Sequence, residues 1–367
     1  MKFLLALLPL PLLGGETIHV SNNEELEQAL SRLKPHTILR INDGEYRGGW
    51  SVRGIDHLTV TIGKSKSMGP RFVGGKTAWH FSKCNNLKIT GFYCDGQSIN
   101  GINIDDGGDY ANPTKNVTVS GMTISNIGPR GNTDALKCSG IDKLTITKCR
   151  FEGWGGQAID LVGCHKSSIT DCRFEGKEGF TQASGTQFKG GCEDITLENC
   201  SFKNAGTRPI NVGGSTGLAY FRPPGAKFEA RRITIRNNTI RGSLCAVAFT
   251  GVDGAEFTRN LVIYPEKWIL RILQETSEPG FPPCRKVDFH HNVIVYKKSQ
   301  VRVPANVGAN TAPGTFTFHN NLWFASDSPK ESKPVLPTRE TDGLYLIDPG
   351  LENGEVTSPV ALEILGK

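Results

Sequence analysis

Residues 144–214 contain nearly the same unit three times: LTITKCRFEGWGGQAIDLVGC (144–164), SITDCRFEGKEGFTQASGTQFKGGC (168–192) and ITLENCSFKNAGTRPINVGG (195–214). Each copy has a short β-branched run, a Cys followed two residues later by Phe, a Gly-rich corner and a second apolar strand of alternating pattern. Self-similarity at this period indicates one supersecondary unit stacked on copies of itself.

The register of these copies extends in both directions if the Cys position is held fixed. That column of equivalent positions contains Phe92, Met122, Cys149, Cys172, Cys200, Asn238, Asn260, Asn292 and Asn321. The units alternate with period two and are rich in Thr, Ile, Val and Gly, so each is predicted to be a coil of strands. Parallel coils stack about 4.8 Å apart. Buried Asn side chains in such a column are therefore expected to hydrogen-bond to the coils above and below.

Stacked coils with an internal Asn ladder resemble the right-handed parallel β-helix proteins, which include pectate lyases, alginate lyases, chondroitinase B and polygalacturonases. The resemblance covers roughly residues 17–324. It implies an all-β, single-stranded right-handed parallel β-helix, a solenoid, with an N-terminal capping helix. The fold does not fix the reaction, because function lies in the site and not in the scaffold.

The predicted organisation is a secretory signal peptide at 1–15, an N-terminal cap at 16–47, the β-helix at 48–325 and a C-terminal tail at 326–367 that packs on the solenoid. Residues 1–15 hold one Lys and an apolar run too short to span a bilayer, which predicts a secreted or periplasmic protein with no membrane segment. Within the cap, Ser21 and Glu24 have the spacing of a helix capping box. A solenoid grows along one axis, so 367 residues need only one domain.

The numbers of charged residues and cysteines limit which ligands and cross-links are expected. The formal net charge of +6 mildly favours a polyanionic ligand. Nucleic acid is not expected, because the basic residues are spread over the coils. The ten cysteines fall at inward positions, so we expect buried thiols and neither disulfides nor a metal site. We expect a monomer.

The second strand of each coil has one outward position between two inward apolar residues, and these positions form the predicted binding column. Its members are His80, Asn103, Lys137, Asp160, Gln187, Asn211, Ala248, Arg271 and Arg302. A neighbouring column two residues further on contains Asp105, Ser139, Val162, Lys189, Gly213 and Thr250. Long insertions at 105–115, 215–231 and 274–285 interrupt the coils, and the second insertion carries Tyr220, Phe221 and Arg222. Aromatic and Arg side chains above a polar groove suit a sugar chain with carboxylates.

Lys and Arg in a groove favour β-elimination from a uronic acid, in which a cation neutralises the C6 carboxylate and a base removes the C5 proton. The segment 189–214 resembles polysaccharide lyase family six, in which a catalytic Lys opens one coil and a catalytic Arg ends the next strand. Lys189 matches that Lys, whereas Asn211 occupies the Arg position and Arg208 lies nearby. The predicted catalytic residues are Lys189, Lys137 and Arg208. The predicted substrate-binding residues are His80, Asn103, Asp160, Gln187, Asn211, Tyr220, Arg222 and Arg271. The resemblance does not identify a metal for this chain. Members of that family bind calcium through acidic residues, and the candidate calcium ligands here are Asp105, Asp106 and Asp109.

Three alternatives remain open at this stage. Asn132-Thr133-Asp134 matches an Asn-Thr-Asp motif of polygalacturonases, which hydrolyse with paired carboxylates, but no Asp-Asp pair follows it. C5 epimerisation needs the same proton abstraction as elimination. A non-catalytic glycan-binding module would have the same groove, and Lys137 beside Asp160 is also compatible with an ordinary cross-strand ion pair.

Overall fold

The computed structural model describes residues 15–65 and 69–367. Apart from Gly15, the predicted signal peptide lies outside the described residues. Each coil runs through three strands, one in each of three parallel sheets that we call A, B and C, and then returns to sheet A. The predicted right-handed parallel β-helix is confirmed.

Sheet A holds twelve strands among the described residues, and all neighbours in it are parallel. These strands are Thr17–Val20, Ile38–Ile41, Thr59–Ile62, Lys88–Thr90, Thr114–Ser120, Ile141–Thr147, His165–Thr170, Cys192–Glu198, Ala230–Arg236, Val252–Thr258, Arg285–His290 and Thr317–His319.

Sheet B also holds twelve parallel strands in the described part of the chain. These are Glu45–Arg47, Arg71–Val73, Tyr93–Asp95, Thr123–Ile127, Arg150–Trp154, Arg173–Glu175, Ser201–Lys203, Thr239–Arg241, Leu261–Ile263, Val293–Tyr296, Leu322–Ala325 and Leu344–Tyr345.

Sheet C is formed by ten parallel strands of the described chain and carries the predicted binding column. These are Trp50–Arg53, Thr77–Ser82, Asn100–Asp105, Leu136–Ser139, Gln157–Val162, Ser184–Lys189, Arg208–Gly213, Cys245–Thr250, Trp268–Leu273 and Ala305–Val307. Short helical turns lie at Leu218–Tyr220, Pro313–Thr315 and Pro329–Glu331, and a small antiparallel pair joins Leu351–Glu352 to Glu355–Val356.

The predicted internal ladder is present at the corner between sheets A and B. The backbone N–H of Asn238 donates to Asn260 Oδ1 at 3.0 Å, and that of Asn260 donates to Asn292 Oδ1 at 2.9 Å. The N–H of Asn292 continues the series to Asn321 Oδ1 at 2.9 Å. The Asn321 side chain then donates to Glu340 of the tail at 2.8 Å, so a carboxylate ends the ladder.

The thiols continue the same column towards the N-terminus. The N–H of Cys149 points at Cys172 Sγ, and that of Cys172 points at Cys200 Sγ, both at 3.4 Å. All ten cysteines are free and buried, which confirms the prediction of core thiols. The Phe two residues after each Cys stacks on its neighbours, with ring centroids 5.0 Å apart for Phe151–Phe174 and 4.4 Å for Phe174–Phe202.

Two helices pack on the solenoid in the described chain, one at its N-terminal end and one against sheet B. The N-terminal helix is Asn23–Ser31, and its cap is Asn22, whose Oδ1 accepts the N–H of Glu25 at 2.9 Å. The cap therefore lies one residue later than the Ser21–Glu24 box predicted from the sequence, because the Asn amide oxygen fills the cap position and Glu25 reaches back to the Ser21 N–H. The C-terminal helix, Pro359–Leu365, packs with residues of sheet B in a second apolar cluster. No helix in the described ranges has the length and apolarity to cross a membrane.

The three long insertions all lie at the corner where sheet C ends and sheet A begins. They connect Asn100–Asp105 to Thr114–Ser120, Arg208–Gly213 to Ala230–Arg236, and Trp268–Leu273 to Arg285–His290. Since coils superimpose, the insertions line one edge of the outward face of sheet C.

Candidate functional site on sheet C

The strand register of sheet C confirms the predicted column. His80 pairs with Asn103, Asn103 with Lys137 and Lys137 with Asp160. The column continues through Gln187, Asn211, Ala248 and Arg271.

Arg302 was wrongly assigned to this column. The strand beside Arg271 is Ala305–Val307, and Asn306 takes the expected Arg302 position. Pro304 lacks the N–H that a strand interior needs, so the chain enters the sheet only after it.

Two lysines meet at one buried carboxylate in the middle of the column. Lys137 Nζ lies 2.7 Å from Asp160 Oδ2 and 2.8 Å from Asp134 Oδ2, so it bridges two carboxylates. Lys189 Nζ lies 3.1 Å from Asp160 Oδ1 and forms an ion pair with it, without the geometry of a hydrogen bond. The same Nζ donates a hydrogen bond to Gln187 Oε1 at 3.3 Å. We call Asp134, Lys137, Asp160 and Lys189 the central cluster.

Within the central cluster, the pKa values of Asp134 and Lys137 are raised and that of Asp160 is lowered. Burial and the negative charge of Asp160 raise the pKa of Asp134. Burial alone would raise the pKa of Asp160 too, but the positive charges of Lys189 and Lys137 outweigh it and lower this pKa. Burial works against the charged form of Lys137, yet the two carboxylates prevail and raise its pKa. Lys137 is therefore a permanent cation at neutral pH.

Burial within the central cluster is layered. The Asp134 and Asp160 side chains are fully buried, whereas those of Lys137 and Lys189 are 28% and 15% exposed. A molecule approaching this face therefore meets ammonium groups before carboxylates.

A second polar group lies two coils towards the N-terminus. His80 Nε2 is 2.6 Å from Asp105 Oδ2, and this hydrogen bond raises the pKa of His80 despite partial burial. Arg53, on the preceding strand, donates to Ser82 Oγ at 3.1 Å and opposes this rise through its positive charge. Between this group and the central cluster, Asn103 accepts a hydrogen bond from Asn100 at 3.0 Å.

Gln187 and Asn211 continue the column towards the C-terminus and are buried. Gln187 Nε2 donates to the Gly213 carbonyl at 3.3 Å, and Asn211 Oδ1 accepts from Thr250 Oγ1 at 3.1 Å. Both side chains thus support the sheet face and offer few free polar atoms to a ligand.

The predicted arginines Arg208 and Arg271 form a third group. Burial lowers the pKa of Arg271, and the nearby charge of Arg208 lowers it further. Arg208 is paired with Glu275 at 2.9 Å. Arg271 stacks on Trp268, with Cζ 4.5 Å from the ring centroid, donates from Nε to Asn306 Oδ1 at 3.0 Å, and forms no ion pair among residues 15–65 and 69–367. Such a guanidinium is available to an incoming carboxylate.

The insertion at 215–231 carries two predicted substrate-binding residues, Tyr220 and Arg222, and they differ in exposure. Tyr220 is 58% exposed, so its ring is free to contact a sugar. Arg222 is buried instead: it forms a two-point ion pair with Asp106 and lies over the Tyr110 ring. It attaches the insertion to the solenoid, and Gly163, with φ of 58°, leaves the space that the Arg222 side chain fills.

Sequence reasoning missed Glu229, which is fully buried at the same corner. Its carboxylate accepts hydrogen bonds from the N–H of Gly190 at 2.8 Å, from the N–H and hydroxyl of Thr216, and from the Thr276 hydroxyl. One side chain therefore joins two insertions to the coil that carries Lys189. Nothing in the sequence indicates this role, because the partners are far apart along the chain.

The predicted calcium ligands do not fit a calcium site. Asp105 is bonded to His80, Asp106 to Arg222, and Asp109 to Lys83 at 3.1 Å. Each carboxylate has its own cationic partner, whereas Ca²⁺ needs several oxygens directed at one point.

Concave pockets lie at this corner. One of about 570 Å³ is lined by Asp56, Lys83, Asn112 and Lys115, among others. It contains none of the residues predicted for the site.

Comparisons with known proteins agree with this architecture. The family model described as "Right handed beta helix region" matches residues 72–321. No curated protein sequence matches the chain.

Solved structures of low sequence identity share the fold. Endo-xylogalacturonan hydrolase from Aspergillus tubingensis has a TM-score of 0.56 at 11% identity, covering 90% of this chain and 100% of that one. The surface adhesin PfbA of Streptococcus pneumoniae has a TM-score of 0.52 at 13% identity, with coverages of 85% and 75%. An alginate lyase from Paenibacillus sp. str. FPU-7 has a TM-score of 0.50 at 16% identity, with coverages of 83% and 97%. This chain belongs to the right-handed β-helix family.

Proposed function

We propose that this protein is an enzyme that binds an acidic polysaccharide along the outward face of sheet C and cleaves it by β-elimination. The observation that carries the proposal is the layering of the central cluster, with partly exposed ammonium groups above fully buried carboxylates. Proteins that share the fold include an alginate lyase and a xylogalacturonan hydrolase, whose names indicate polysaccharide substrates.

The distribution of cations supports an extended anionic ligand. Lys189 and Arg271 lie on strands three steps apart in sheet C. At about 4.8 Å per step, they are separated by about 14 Å along the groove. Two cationic positions at this distance suit a chain that carries carboxylates on sugars several units apart. Tyr220, at the edge of the face, supplies a ring for an apolar sugar surface.

The two central lysines differ in ways that suggest separate roles. Lys137, between two carboxylates, stays charged and would neutralise the C6 carboxylate of the sugar, which makes the C5 proton more acidic. Lys189, with one carboxylate neighbour, is the less strongly paired of the two and would accept the C5 proton once its own proton has passed to solvent. The C5–H electron pair forms the C4–C5 double bond, and the glycosidic oxygen leaves with the C4–O pair and takes a proton from water. Arg271 would hold a second carboxylate, and Arg208, tied to Glu275, would support it.

Hydrolysis is the second candidate, favoured by Asp134 and Asp160. Lys137 holds the two carboxylates close together, and their pKa values are displaced in opposite directions, as an acid and base pair requires. Both carboxylates lie beneath Lys137, however, so a sugar would reach them only after that side chain moved. For this reason we favour elimination.

The test is incubation with alginate, pectate and chondroitin while following absorbance at about 232 nm, which reports the unsaturated product of elimination. Lys189→Ala and Lys137→Met are expected to lose at least about 100-fold in rate, the usual scale for a general base. Lys203→Ala is the matched control, because Lys203 is 62% exposed in a surface ion pair on sheet B.

Each other outcome has a defined meaning. New reducing ends without absorbance would favour hydrolysis, and binding without product would identify a glycan-binding module. Absence of both binding and cleavage would refute the acidic-polysaccharide proposal.

Such a polymer lies outside the cytoplasm, so we also propose that residues 1–15 direct export to the periplasm or medium. Amino-terminal sequencing of the exported protein would test cleavage near residue 15. Recovery of uncleaved protein in the cytoplasm alone would contradict it.

A further inference from the structure

Three histidines meet on the outward face of sheet A, near the C-terminal end of the solenoid. His290 ends the strand Arg285–His290, and His319 ends the next strand and pairs directly with it. His291 follows at the corner with φ of 51°, which turns its side chain towards the other two. All three are partly buried, and each can offer one ring nitrogen such that these atoms lie within 4.8 Å of one another.

The ring nitrogens of His290 and His291 are close. Their Nδ1 atoms are 2.8 Å apart. The His290 and His319 rings stack with centroids 4.6 Å apart and planes 6° from parallel. The three imidazoles thus form one compact cluster of ring nitrogens.

Two carboxylates approach the histidines from behind. Glu256 Oε1 lies 3.0 Å from His290 Nε2, and Asp288 Oδ1 lies 3.0 Å from His319 Nε2. A carboxylate that accepts the Nε2–H proton leaves the Nδ1 lone pair free. Metal-bound histidines in proteins have this arrangement, in which the second ring nitrogen donates to a carboxylate.

We propose that His290, His291 and His319 bind a divalent transition metal ion of the zinc type through their Nδ1 atoms. Imidazole nitrogen suits zinc, copper or nickel, whereas calcium and magnesium prefer oxygen. At the Zn–N distance of about 2.0–2.1 Å, tetrahedral ligands lie about 3.3 Å apart. To close on the ion, the stacked rings must rotate about their side-chain bonds, and the Thr258 hydroxyl, 3.2 Å from His290 Nδ1, must give up that contact. The Asn320 side chain, 2.9 Å from His319 Nδ1, must turn aside.

The position of the site indicates its role. It lies on sheet A, whereas the proposed substrate face is on sheet C, so the metal would not take part in polysaccharide cleavage. It would join the strands Arg285–His290 and Thr317–His319, the last two of sheet A in the described chain. We infer a structural clamp on the C-terminal coils, separate from the proposed catalytic function.

The experiment uses the full chain without a polyhistidine tag, freed of metal with a chelator and titrated with Zn²⁺ by calorimetry. We expect one equivalent per chain. His319→Ala and His291→Ala should each weaken binding at least about 100-fold, since loss of a second-shell partner alone costs about 10–100-fold. Co²⁺ should give the visible absorption of nitrogen coordination in the wild type but not in His319→Ala or His291→Ala.

The matched control is His165→Ala. His165 also lies on the outward face of sheet A and pairs with a carboxylate, Asp142, at 2.8 Å, but it is not in the cluster. Its removal should leave zinc binding unchanged. Because an alanine variant can perturb folding, Asp288→Asn offers a second test: it keeps the three histidines and should weaken binding about 10–100-fold.

A clamp also predicts a stability effect. Zinc should raise the melting temperature of the wild type by ligand linkage and leave that of His319→Ala unchanged. If the wild type binds less than one equivalent, or His165→Ala weakens binding as much as His319→Ala does, the site does not exist and the histidines only share hydrogen bonds.

Discussion

Replacement of Lys137 by Met tests the central cluster directly. The Met side chain is similar in length to that of Lys and matches its aliphatic part, but it carries no charge. In the variant, Asp134 and Asp160 lose the ammonium group that lies 2.8 Å and 2.7 Å from their oxygens. Two fully buried carboxylates would then face each other, and only Lys189 would remain near Asp160.

The expected loss of stability follows from this uncompensated charge. Removing one partner of a buried ion pair costs about 3–5 kcal/mol. Lys137 is 28% exposed, so water moderates the effect and the lower value, about 3 kcal/mol, is expected at pH 7.

The loss of stability in the Lys137→Met variant should be smaller at lower pH. Burial and the Asp160 charge already raise the pKa of Asp134, and removal of Lys137 raises it further. A carboxyl group with a raised pKa in the folded state binds its proton more tightly there than in the unfolded chain. Acidification therefore stabilises the variant relative to the wild type as the pH falls through that pKa.

Urea unfolding followed by circular dichroism at pH 7 and pH 5 would measure both effects. Lys203→Met is the control, because its exposed ion pair with Glu175 should contribute at most about 1 kcal/mol. A Lys137→Met variant within about 0.5 kcal/mol of wild type, the range of ordinary surface changes, would refute the buried-cluster argument. So would a destabilisation that does not depend on pH.

Four further predictions follow from other parts of the fold. Asn292→Ala leaves the buried N–H of Asn260 without its acceptor, so urea unfolding should show a loss of about 2–3 kcal/mol. Thiol titration without reductant should count ten free thiols after denaturation and almost none before it, whereas disulfides would lower the first number. Asp105→Asn should lower the pKa of His80 measured by NMR; in the wild type, the stabilisation by protonated His80 is present at acid pH and lost as the pH rises through its raised pKa. Glu229→Ala should accelerate hydrogen exchange in residues 214–229 and 274–284 but not in the strand Ile141–Thr147, and unchanged exchange would exclude its role as a loop anchor.

The coil register could be predicted from sequence because one residue per coil is strongly constrained. Cys149, Cys172 and Asn238 occupy one buried corner, where a thiol or an amide accepts the N–H of the preceding coil, so their column is visible without a structure. Once that column is aligned, the outward positions of sheet C follow by counting. The count failed at Arg302, where Pro304 delays entry into the strand.

Side-chain partners could not be predicted in the same way. Arg222 is of a residue type that often binds sugar carboxylates, yet it pairs with Asp106, 116 residues earlier in the chain. Glu229 and the three clustered histidines also depend on contacts between distant segments. Their geometry arises from how insertions and corners fold over the coils, which has no period in the sequence.

The column itself shows that the β-helix does not require charge at these positions. Ala248 occupies the same outward position as Lys137 and Asp160 and is equally well accommodated in register. A buried ion pair contributes little net stability compared with apolar residues of similar size, since desolvation of the charges offsets their attraction. The central cluster is therefore not explained by folding alone. Within the cluster, the cations lie towards solvent and the carboxylates lie beneath them. Recognition of an anionic substrate would account for this layering, and this is why we propose that the function lies on sheet C.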